Sequence, residues 1–262
     1  MSSAARPPVL GRGRLQVVST PIGNLADLSP RAREALAGAD LVACEDTRHT
    51  GLLLSRLGLK ARLVSYHAHN ERARLPMLLA ALGEGKTVAL VSDAGTPLLS
   101  DPGFPLVRAA IEQGARVEAI PGPSALLAAL VVSGFPTQPF TFGGFPSPRP
   151  GKRRSFFTAL ADLEHTVVFY ESPHRLAVSL FDAAHAFGAR PAVVARELTK
   201  LHEELRRGTL GELAAAYAEE TVRGEVVVVV GPPVEQLGEA EAEAESDDEE
   251  EPRRMAGPRR LR

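Results

Sequence analysis

The feature that most constrains the fold of this chain is a regular alternation of short apolar segments with amphipathic ones. Strands are predicted at 15–20, 40–44, 62–65, 87–92 and 116–120, and the stretches between most of them have the period of a helix. Strands that alternate with helices at this spacing are typical of a largely parallel sheet. The sequence therefore predicts an α/β fold.

The alternation is interrupted once, over residues 134–151, which are rich in glycine, proline and phenylalanine. We interpret this stretch as a crossover between two domains. The pattern then resumes and ends in the apolar run 225–230, which we expect to be buried on both faces. The prediction is two α/β domains, at 14–133 and 134–234, with disordered ends at 1–13 and 235–262.

Composition limits where the protein works. The chain has one cysteine, no apolar run as long as a membrane helix and no apolar segment typical of a secretory signal, which favours the cytoplasm and no membrane. Its last segment has ten acidic residues from Glu235 to Glu251, followed by five arginines. Without both ends the body is nearly neutral, so net charge alone gives no argument for nucleic acid.

Six loops at the predicted strand ends carry turn residues or charges. In open α/β sheets, ligands bind at the carboxyl ends of the strands. Any one such loop needs turn residues for its connection alone, but six together indicate a ligand site. The loops are 20–24, 44–48, 92–97, 120–124, 170–175 and 196–200.

Several common sites have no counterpart in the sequence. No Gly-x-Gly-x-x-Gly follows the first strand, and there is neither a P-loop nor a Gly-x-Ser-x-Gly elbow. His67 and His69 are two residues apart, a spacing more typical of a polar contact than of a metal site. We therefore predict no metal.

Five segments resemble one known family. They are Ser19-Thr-Pro-Ile-Gly-Asn-Leu-Ala-Asp27, Glu45-Asp-Thr-Arg-His-Thr50, Leu90-Val-Ser-Asp-Ala-Gly-Thr-Pro97, Tyr170-Glu-Ser-Pro-His-Arg175 and Ala195-Arg-Glu-Leu-Thr-Lys200. Together they look like the signature of the ribosomal RNA small subunit methyltransferase I family. Its members are 2′-O-methyltransferases for a cytidine in the decoding region of 16S rRNA, within the tetrapyrrole methylase superfamily. The resemblance runs from about residue 15 to 231.

This resemblance implies a two-domain, tetrapyrrole-methylase-like (class III methyltransferase) fold with S-adenosylmethionine in a cleft between the domains. It also implies a homodimer that acts on 16S rRNA within the 30S subunit. The first loop lacks the Gly-x-Gly-x-Gly-Asp of the tetrapyrrole-acting relatives, which fits a different substrate. The cofactor-binding residues implied by the resemblance are Pro21, Gly23, Asn24, Ser92, Asp93, Ala94, Gly95, Ser124, Ala125, Tyr170, Glu171, Ala195 and Arg196.

A ribose hydroxyl is a poor nucleophile, so a general base would assist the transfer. We favour Asp46 as base or substrate orienter, because a neighbouring Arg48 would hold it ionised and oriented. The alternative for this loop is a helix N-cap with a local ion pair. The remaining candidates are Glu45, Glu171, Glu197 and Lys200.

Cationic side chains in the same loops and in a basic cluster at 150–154 are candidate contacts to rRNA phosphate or ribose. Any one of them alone is more often an ordinary surface charge. They are Arg48, His49, Arg153, Arg154, His174, Arg175 and Lys200. Phe140, Phe142 and Phe145 could stack on a base, but at this spacing they more often pack into a core or an interface.

Three functions therefore remain open from the sequence. The favoured one is an S-adenosylmethionine-dependent rRNA 2′-O-methyltransferase. The others are a methyltransferase for a tetrapyrrole-like small molecule and a non-catalytic RNA-binding relative.

Overall fold

The computed structural model describes residues 13–236. The ends predicted to be disordered, 1–13 and 235–262, therefore lie outside the described residues apart from residues 13, 235 and 236. The described chain divides into two compact units, 13–125 and 126–236. The boundary predicted from the sequence, after residue 133, lies one helix beyond the boundary in the structure, after residue 125. The difference is α5 (Ala125–Val132), nearly all of which belongs to the second unit. Within that unit, Arg207 Nη2 donates a hydrogen bond to the carbonyl of Val132 over 2.6 Å, which anchors the end of α5.

The first unit is built on a five-stranded, fully parallel sheet of order β3-β2-β4-β1-β5. Because all its strands run the same way, their carboxyl ends lie along a single edge. Its strands are β1 (Arg14–Val18), β2 (Leu41–Cys44), β3 (Leu63–Ser65), β4 (Thr87–Val91) and β5 (Arg116–Ile120). Its helices are α1 (Pro30–Gly38), α2 (Thr47–Arg56), α3 (Glu71–Gly83) and α4 (Phe104–Glu112), and a short 3-10 helix covers Leu25–Asp27.

Both faces of this sheet are covered by apolar side chains, as expected for a parallel sheet. Leu15 and Leu90 belong to one apolar cluster, whereas Val18 and Ala89 belong to a second. Full burial of a side chain of this size contributes about 1.5–3 kcal/mol. The central strands β1 and β4 are therefore rigid supports for the loops that follow them.

The start of α1 matches the sequence signal for a helix N-terminus. Ser29 Oγ accepts a hydrogen bond from the N–H of Ala32 over 3.1 Å, and Pro30 occupies the first helical position. Proline is tolerated there because the first helical N–H has no partner within the helix. The Ser29-Pro30 pair therefore marks the helix start in the sequence as well as in the structure.

The second unit contains a five-stranded sheet of order β6-β7-β10-β8-β9. Its strands are β6 (Phe140–Phe142), β7 (Thr166–Glu171), β8 (Pro191–Arg196), β9 (Glu204–Thr209) and β10 (Val226–Val230). Its remaining helices are α6 (Pro150–Thr158), α7 (Leu176–Phe187) and α8 (Leu210–Ala218), with a 3-10 helix at Pro173–Arg175.

The prediction of a largely parallel sheet is wrong for this unit. Strand β10 runs antiparallel to both of its neighbours, β7 and β8, and β9 runs antiparallel to β8. Strand β9 was not predicted, because this edge strand carries Glu204, Arg206 and Arg207 in place of an apolar run.

A buried arginine joins the end of β10 to the segment before β7. Arg190 is 5% exposed, and its guanidinium donates to the carbonyls of Gly231, Leu163 and His165 at 2.6–2.7 Å. Burial lowers the pKa of Arg190 to about 10. Because each donor group has a carbonyl acceptor, the charge is accommodated inside the unit.

Between residues 13 and 236, no helix combines the length and the apolar character that crossing a membrane requires.

Candidate functional site

The loops that follow β1 and β4 are joined by main-chain hydrogen bonds. The N–H of Thr20 donates to the carbonyl of Gly95 over 2.9 Å, and the N–H of Gly95 donates back over 3.1 Å. Thr20 Oγ1 also donates to the carbonyl of Ser92 over 3.3 Å. Gly95 has a φ of 80°, a left-handed conformation that favours glycine. Two loops singled out in the sequence thus form one continuous surface.

The loop after β5 is attached to the same surface. Ser19 Oγ lies 3.1 Å from Thr96 Oγ1, which donates to the carbonyl of Pro123 over 3.2 Å. A Cβ on Gly122 would lie 3.0 Å from the Ser19 Cβ, so this close approach favours glycine. The carboxyl ends of β1, β4 and β5 therefore carry one interlocked group of loops.

Ser124 stands out within this group of loops. Its side chain is buried, and among the described residues its Oγ has no hydrogen-bond partner. A buried hydroxyl without a partner costs about 1–3 kcal/mol. Ser124 is therefore a polar group that a ligand could satisfy.

The loop after β2 reaches the loop after β4 through one hydrogen bond. The N–H of Asp46 donates to Asp93 Oδ1 over 3.2 Å. The carboxylate of Asp46 is the N-cap of α2: it accepts from the N–H of Arg48 at 2.8 Å and from the Arg48 guanidinium at 3.1 and 2.6 Å. These hydrogen bonds to Arg48 lower the pKa of Asp46 far below its ordinary value.

The structure thus has the alternative arrangement for this loop, a helix N-cap with a local ion pair. A carboxylate that accepts three hydrogen bonds and has so low a pKa is a poor proton acceptor near neutral pH. This is a physical argument against Asp46 as the general base.

In two other carboxyl groups, those of Glu45 and Asp101, the pKa is raised instead of lowered. Burial, followed by the negative charge of Asp93, raises the pKa of Glu45, and His67 opposes that effect. Burial raises the pKa of Asp101 to about 6, and the charges of Glu45 and Asp93 act in the same direction. Asp101 was not among the sequence candidates. Its Ser-Asp-Pro-Gly context is typical of a turn.

Two of the first unit's candidate cofactor residues are exposed. Gly23 and Asn24 lie on the surface, and the Asn24 side chain caps the 3-10 helix by accepting from the N–H of Ala26 over 3.0 Å. Pro21 is half-buried, and so is Ala94, whose carbonyl accepts a hydrogen bond from Ser92 Oγ over 3.2 Å.

In the second unit, the candidate Glu171 is enclosed by donors. Its side chain is 0% exposed, and Oε1 accepts from the N–H of Ser172 at 2.6 Å and from Arg175 at 2.8 Å. Oε2 accepts a hydrogen bond from the Ser179 hydroxyl. Glu171 therefore orders the turn after β7, and it has no exposed oxygen for proton transfer.

Lys200 and Glu197 form an ion pair with each other. Lys200 Nζ donates to Glu197 Oε1 over 2.7 Å and to Glu225 Oε2 over 3.1 Å. Burial alone would lower the pKa of Lys200, but the hydrogen bonds and charges of these two carboxylates outweigh it and raise that pKa. Burial would raise the pKa of Glu197, yet Lys200 and the N–H of Glu225 lower it. Neither group suits a general base.

Two of the candidate cofactor residues, Ala195 and Arg196, end strand β8 and are paired within the sheet. Ala195 pairs with Val227 on one side and with Leu205 on the other, which uses its main-chain groups within the sheet. Arg196 Nε donates to Glu204 over 2.8 Å. Ala195 is also only 1% exposed, so it is enclosed within its own unit.

The ring of Tyr170 packs against two phenylalanines of its own unit. The ring centroids of Phe142 and Phe145 lie 4.9 and 5.3 Å from that of Tyr170. For these two phenylalanines, the structure shows the packing role that was the alternative to stacking on a base.

Among the candidate RNA contacts, Arg153 is the clearest correction. It is 6% exposed, and its Nε donates to Asp182 Oδ2 over 2.7 Å, forming a buried ion pair between α6 and α7. A buried, paired arginine is not available to a phosphate. Its neighbour Arg154 is exposed, as are His49 and His174. Arg48 is 90% exposed but bound to Asp46.

The part of the chain that the structure describes contains no group of three or more His, Cys, Asp or Glu side chains suited to holding a metal ion.

Comparison with known proteins first defines the class. Residues 14–214 match the family model of the Tetrapyrrole (Corrin/Porphyrin) Methylases. A solved uroporphyrin-III-C-methyltransferase from Thermus thermophilus has the same fold, with a TM-score of 0.61 at 23% identity over 87% of this chain and 98% of that one. The chain therefore belongs to the tetrapyrrole methylase family and has its class III methyltransferase fold.

Relatives of higher sequence identity define a narrower family within this one. The chain is 54% identical to a ribosomal RNA small subunit methyltransferase I from Mesorhizobium japonicum over 83% of this chain and 75% of that protein. It is 51% identical to the protein of that name from Xylella fastidiosa, over 83% and 81%. The chain belongs to the ribosomal RNA small subunit methyltransferase I family, which confirms the resemblance seen in the sequence.

Proposed function

We propose that this protein transfers a methyl group from S-adenosylmethionine to the ribose 2′-oxygen of a cytidine in the decoding region of 16S rRNA. Family membership supports the reaction class. The observation that carries the proposal is the interlocked group of loops at the ends of β1, β4 and β5, held by the reciprocal hydrogen bonds between Thr20 and Gly95. It presents main-chain groups and small residues at the edge where open α/β sheets bind ligands.

The residues present fit such a cofactor. Gly95 and Gly122 keep the loops free of side chains, and Ser124 offers a buried hydroxyl without a partner in the described chain. In the first unit we propose contacts from Pro21, Gly23, Asn24, Ser92, Asp93, Ala94, Gly95, Ser124 and Ala125. In the second unit the family resemblance supports Tyr170, Glu171, Ala195 and Arg196.

The cofactor, when bound, supplies an activated methyl group with a good leaving group, so the protein's main task is to align the acceptor oxygen. General-base assistance adds about 10²–10⁴-fold. Asp46 and Glu197 are bound to cationic partners that lower their pKa values, and two carboxylates keep Lys200 in its protonated form. Both oxygens of Glu171 accept hydrogen bonds within its own unit. Of the sequence candidates, Glu45 remains suited to receive a proton.

For the rRNA, we propose contacts from exposed or partly exposed cations. A cation near a phosphate contributes affinity without reading the base. The set is Arg48, His49, Arg154, His174, Arg175 and Lys200. Arg153 is not retained, because Asp182 holds it in the interior.

The proposed function can be tested by methyl transfer from labelled S-adenosylmethionine to purified 30S subunits and to free 16S rRNA, with nuclease mapping of the product. We expect label on one cytidine ribose, within the 30S subunit. Label on a base or on a ribosomal protein, or none at all, would refute the assignment. Transfer only to a tetrapyrrole-like acid would support the small-molecule alternative, and cofactor binding without transfer would fit a non-catalytic relative.

We also propose that the protein works as a homodimer in the cytoplasm, where its ribosomal substrate is found. A groove of about 590 Å³ between α7 and α8 is lined mainly by alanines and also by Phe181, which is 66% exposed. An exposed phenylalanine within a surface of small residues can pack against the same surface of a second copy, as a two-fold contact requires.

Light scattering tests this proposal. We expect Phe181→Ser to shift the protein towards the monomer. The matched control is Leu201→Ser, because Leu201 is 92% exposed but lies outside the groove. An unchanged molar mass for Phe181→Ser, or a monomeric wild type, would exclude this face as the dimer contact.

A further inference from the structure

Cationic side chains are concentrated in one part of the first unit. Residues 47–74 contain six lysine or arginine residues and a single acid, Glu71, whereas residues 13–46 and 75–125 together contain six such cations and ten acids. The body as a whole is nearly neutral because the acids elsewhere balance the cations of this segment. The six cations are Arg48, Arg56, Lys60, Arg62, Arg72 and Arg74.

The sheet topology brings this segment to one edge of the unit. The segment comprises α2, β3 and the first turn of α3, and β3 pairs with β2 at the end of the described sheet. Leu54 of α2 and Leu78 of α3 belong to different apolar clusters, which lie on opposite faces of the sheet. The two helices therefore flank the outer edge of β3. We call the surface formed by residues 47–74 the basic edge.

Most cations of the basic edge are exposed and have no carboxylate partner. Arg48 is 90% exposed and is the exception, since Asp46 holds it. In the rest of the unit, Lys86, Arg108 and Arg116 each form an ion pair. Among residues 13–236, five exposed cations of the basic edge form no ion pair, namely Arg56, Lys60, Arg62, Arg72 and Arg74.

The turn from β3 into α3 is held by one side chain. Asn70 Oδ1 accepts a hydrogen bond from the N–H of His67 over 2.8 Å, and Asn70 Nδ2 donates to the carbonyl of Ser65 over 3.2 Å. These hydrogen bonds fix the start of α3, which carries Arg72 and Arg74. The cations of α3 are therefore held in place relative to β3.

The basic edge leads to the strand-end loops. Helix α2 starts after Asp46, whose N–H donates to Asp93 Oδ1 over 3.2 Å. Arg48 and Arg56 are eight residues apart, so they lie on one face of α2, about 12 Å apart along its axis. A polyanion that lies along this face would pass from Arg56 to the loops after β2 and β4.

We propose that the basic edge is a docking surface for the phosphate backbone of the substrate rRNA, an inference that rests on the function proposed above. A line of unpaired cations complements a chain of regularly spaced phosphates, and an arginine can donate two parallel hydrogen bonds to one phosphate. Each such contact releases a counterion and adds affinity that does not depend on base sequence. The basic edge thus fixes the position of the RNA strand relative to the strand-end loops.

The test compares two triple variants that remove the same charge. The first neutralises one cation from α2, one next to β3 and one from α3, by combining Arg56→Gln, Arg62→Gln and Arg74→Gln. The control neutralises three arginines of β1 and α1 in the same unit. They are also exposed and without an ion pair in the described chain, but α1 packs over β1, β4 and β5, away from the basic edge. The control combines Arg14→Gln, Arg31→Gln and Arg33→Gln.

Filter binding to free 16S rRNA and to 30S subunits, from about 50 to 200 mM salt, gives the affinity and its salt dependence. We expect the first variant to lose about tenfold or more in affinity for both. Its plot of log K against log salt should become shallower by about 2, because three contacts of about 0.7 each are lost. The control should lose less than about twofold. Cofactor affinity and melting temperature should match the wild type in both variants, which verifies that they are folded.

Equal losses in the two variants would overturn the proposal, because net charge alone would then explain the effect. Unchanged binding by the first variant would overturn it as well. A loss confined to 30S subunits, with free 16S rRNA bound as tightly as by the wild type, would also overturn it and indicate a ribosomal protein as the partner. Binding is measured without methyl transfer, so absence of ribose methylation by the wild type would refute the proposed function separately.

Discussion

The main-chain N–H of Asp46 donates to the side chain of Asp93 over 3.2 Å, which connects the loops that follow β2 and β4. The Asp46 carboxylate itself turns away from this contact and caps α2. The residue therefore links two loops through its backbone and begins a helix through its side chain. Both roles are structural, and neither requires Asp46 to exchange a proton.

The cap role leads to a first prediction. Asp46→Asn keeps an N-cap acceptor, so turnover should stay within about threefold of the wild type. Asp46→Ala loses the cap, and its melting temperature should fall by about 2–4 °C. Thermal unfolding and single-turnover rates measured on both variants check this. A loss of 10²-fold or more in Asp46→Asn, with cofactor binding intact, would restore Asp46 as the base.

Gly95 allows a matched comparison between two left-handed glycines. Gly95→Ala should lose about 1–2 kcal/mol of stability and also weaken cofactor binding, because its Cβ would lie 3.3 Å from Ile22 Cγ2 within the interlocked loops. Gly58 has a similar φ of 67°, and a Cβ there meets nothing within 4 Å. Gly58→Ala should therefore lose a similar stability without losing affinity. Equal affinities in the two variants, by calorimetry, would argue against the cofactor role of this loop.

The buried ion pair in the second unit predicts an unequal effect for two adjacent arginines. Arg153→Ala leaves Asp182 buried without its partner and should lower the free energy of unfolding by about 3 kcal/mol. Arg154 is exposed, so Arg154→Ala should leave stability within about 0.5 kcal/mol of the wild type and weaken binding to 16S rRNA instead. Denaturant unfolding and a filter-binding assay separate the two effects. Equal stabilities would contradict the ion-pair assignment.

Asp101 also predicts a dependence of stability on pH. Its pKa is about 6 in the folded protein and near 3.8 for an ordinary carboxyl, so between these values the folded state holds a proton that the unfolded chain has released. Stability should therefore fall as pH rises through this window and then level off. Asp101→Asn removes the free-energy cost of ionising this half-buried carboxyl in the folded protein. It should be more stable than the wild type by about 1–2 kcal/mol at pH 8, a value reduced for partial solvent exposure, and equal to it near pH 4.

Denaturant unfolding at pH 4, 6 and 8 measures this difference. The exposed Asp27 provides the control, and Asp27→Asn should show no comparable gain at pH 8. A stability difference for Asp101→Asn that stays constant across the three pH values would mean that Asp101 titrates as an ordinary carboxyl.

The strand-end loops were predictable because turn residues and strand ends are local signals. The Ser29-Pro30 pair indicates the start of α1, and the loops that contain Thr20 and Gly95 were identified as parts of one site. Arg153 was misjudged, since its partner Asp182 lies 29 residues away and a basic cluster looks the same whether its arginines are paired or free. Asp101 was missed because its character arises from burial and from Glu45 on another loop, and no local pattern encodes that proximity.

Strand direction was predictable only in part. Helices between strands indicate parallel neighbours, and this holds for the first unit. In the second unit, β10 is inserted between β7 and β8, and the apolar character of its valines says how deeply it is buried but not which way it runs. Pairing partners depend on contacts between distant segments, which a single sequence does not display.

The position of β10 has a consequence for synthesis of the protein on the ribosome. The central strand of the second sheet is also the last one made, so β6-β7 and β8-β9 remain two separate ribbons until residue 230 has left the exit tunnel. During that interval, β7 and β8 each expose an unpaired edge, the kind of surface on which nascent chains aggregate. A pause in translation shortly before the five valines would prolong this exposure. The second unit should accordingly depend more on chaperones during synthesis than the first, whose strands are all made by residue 120.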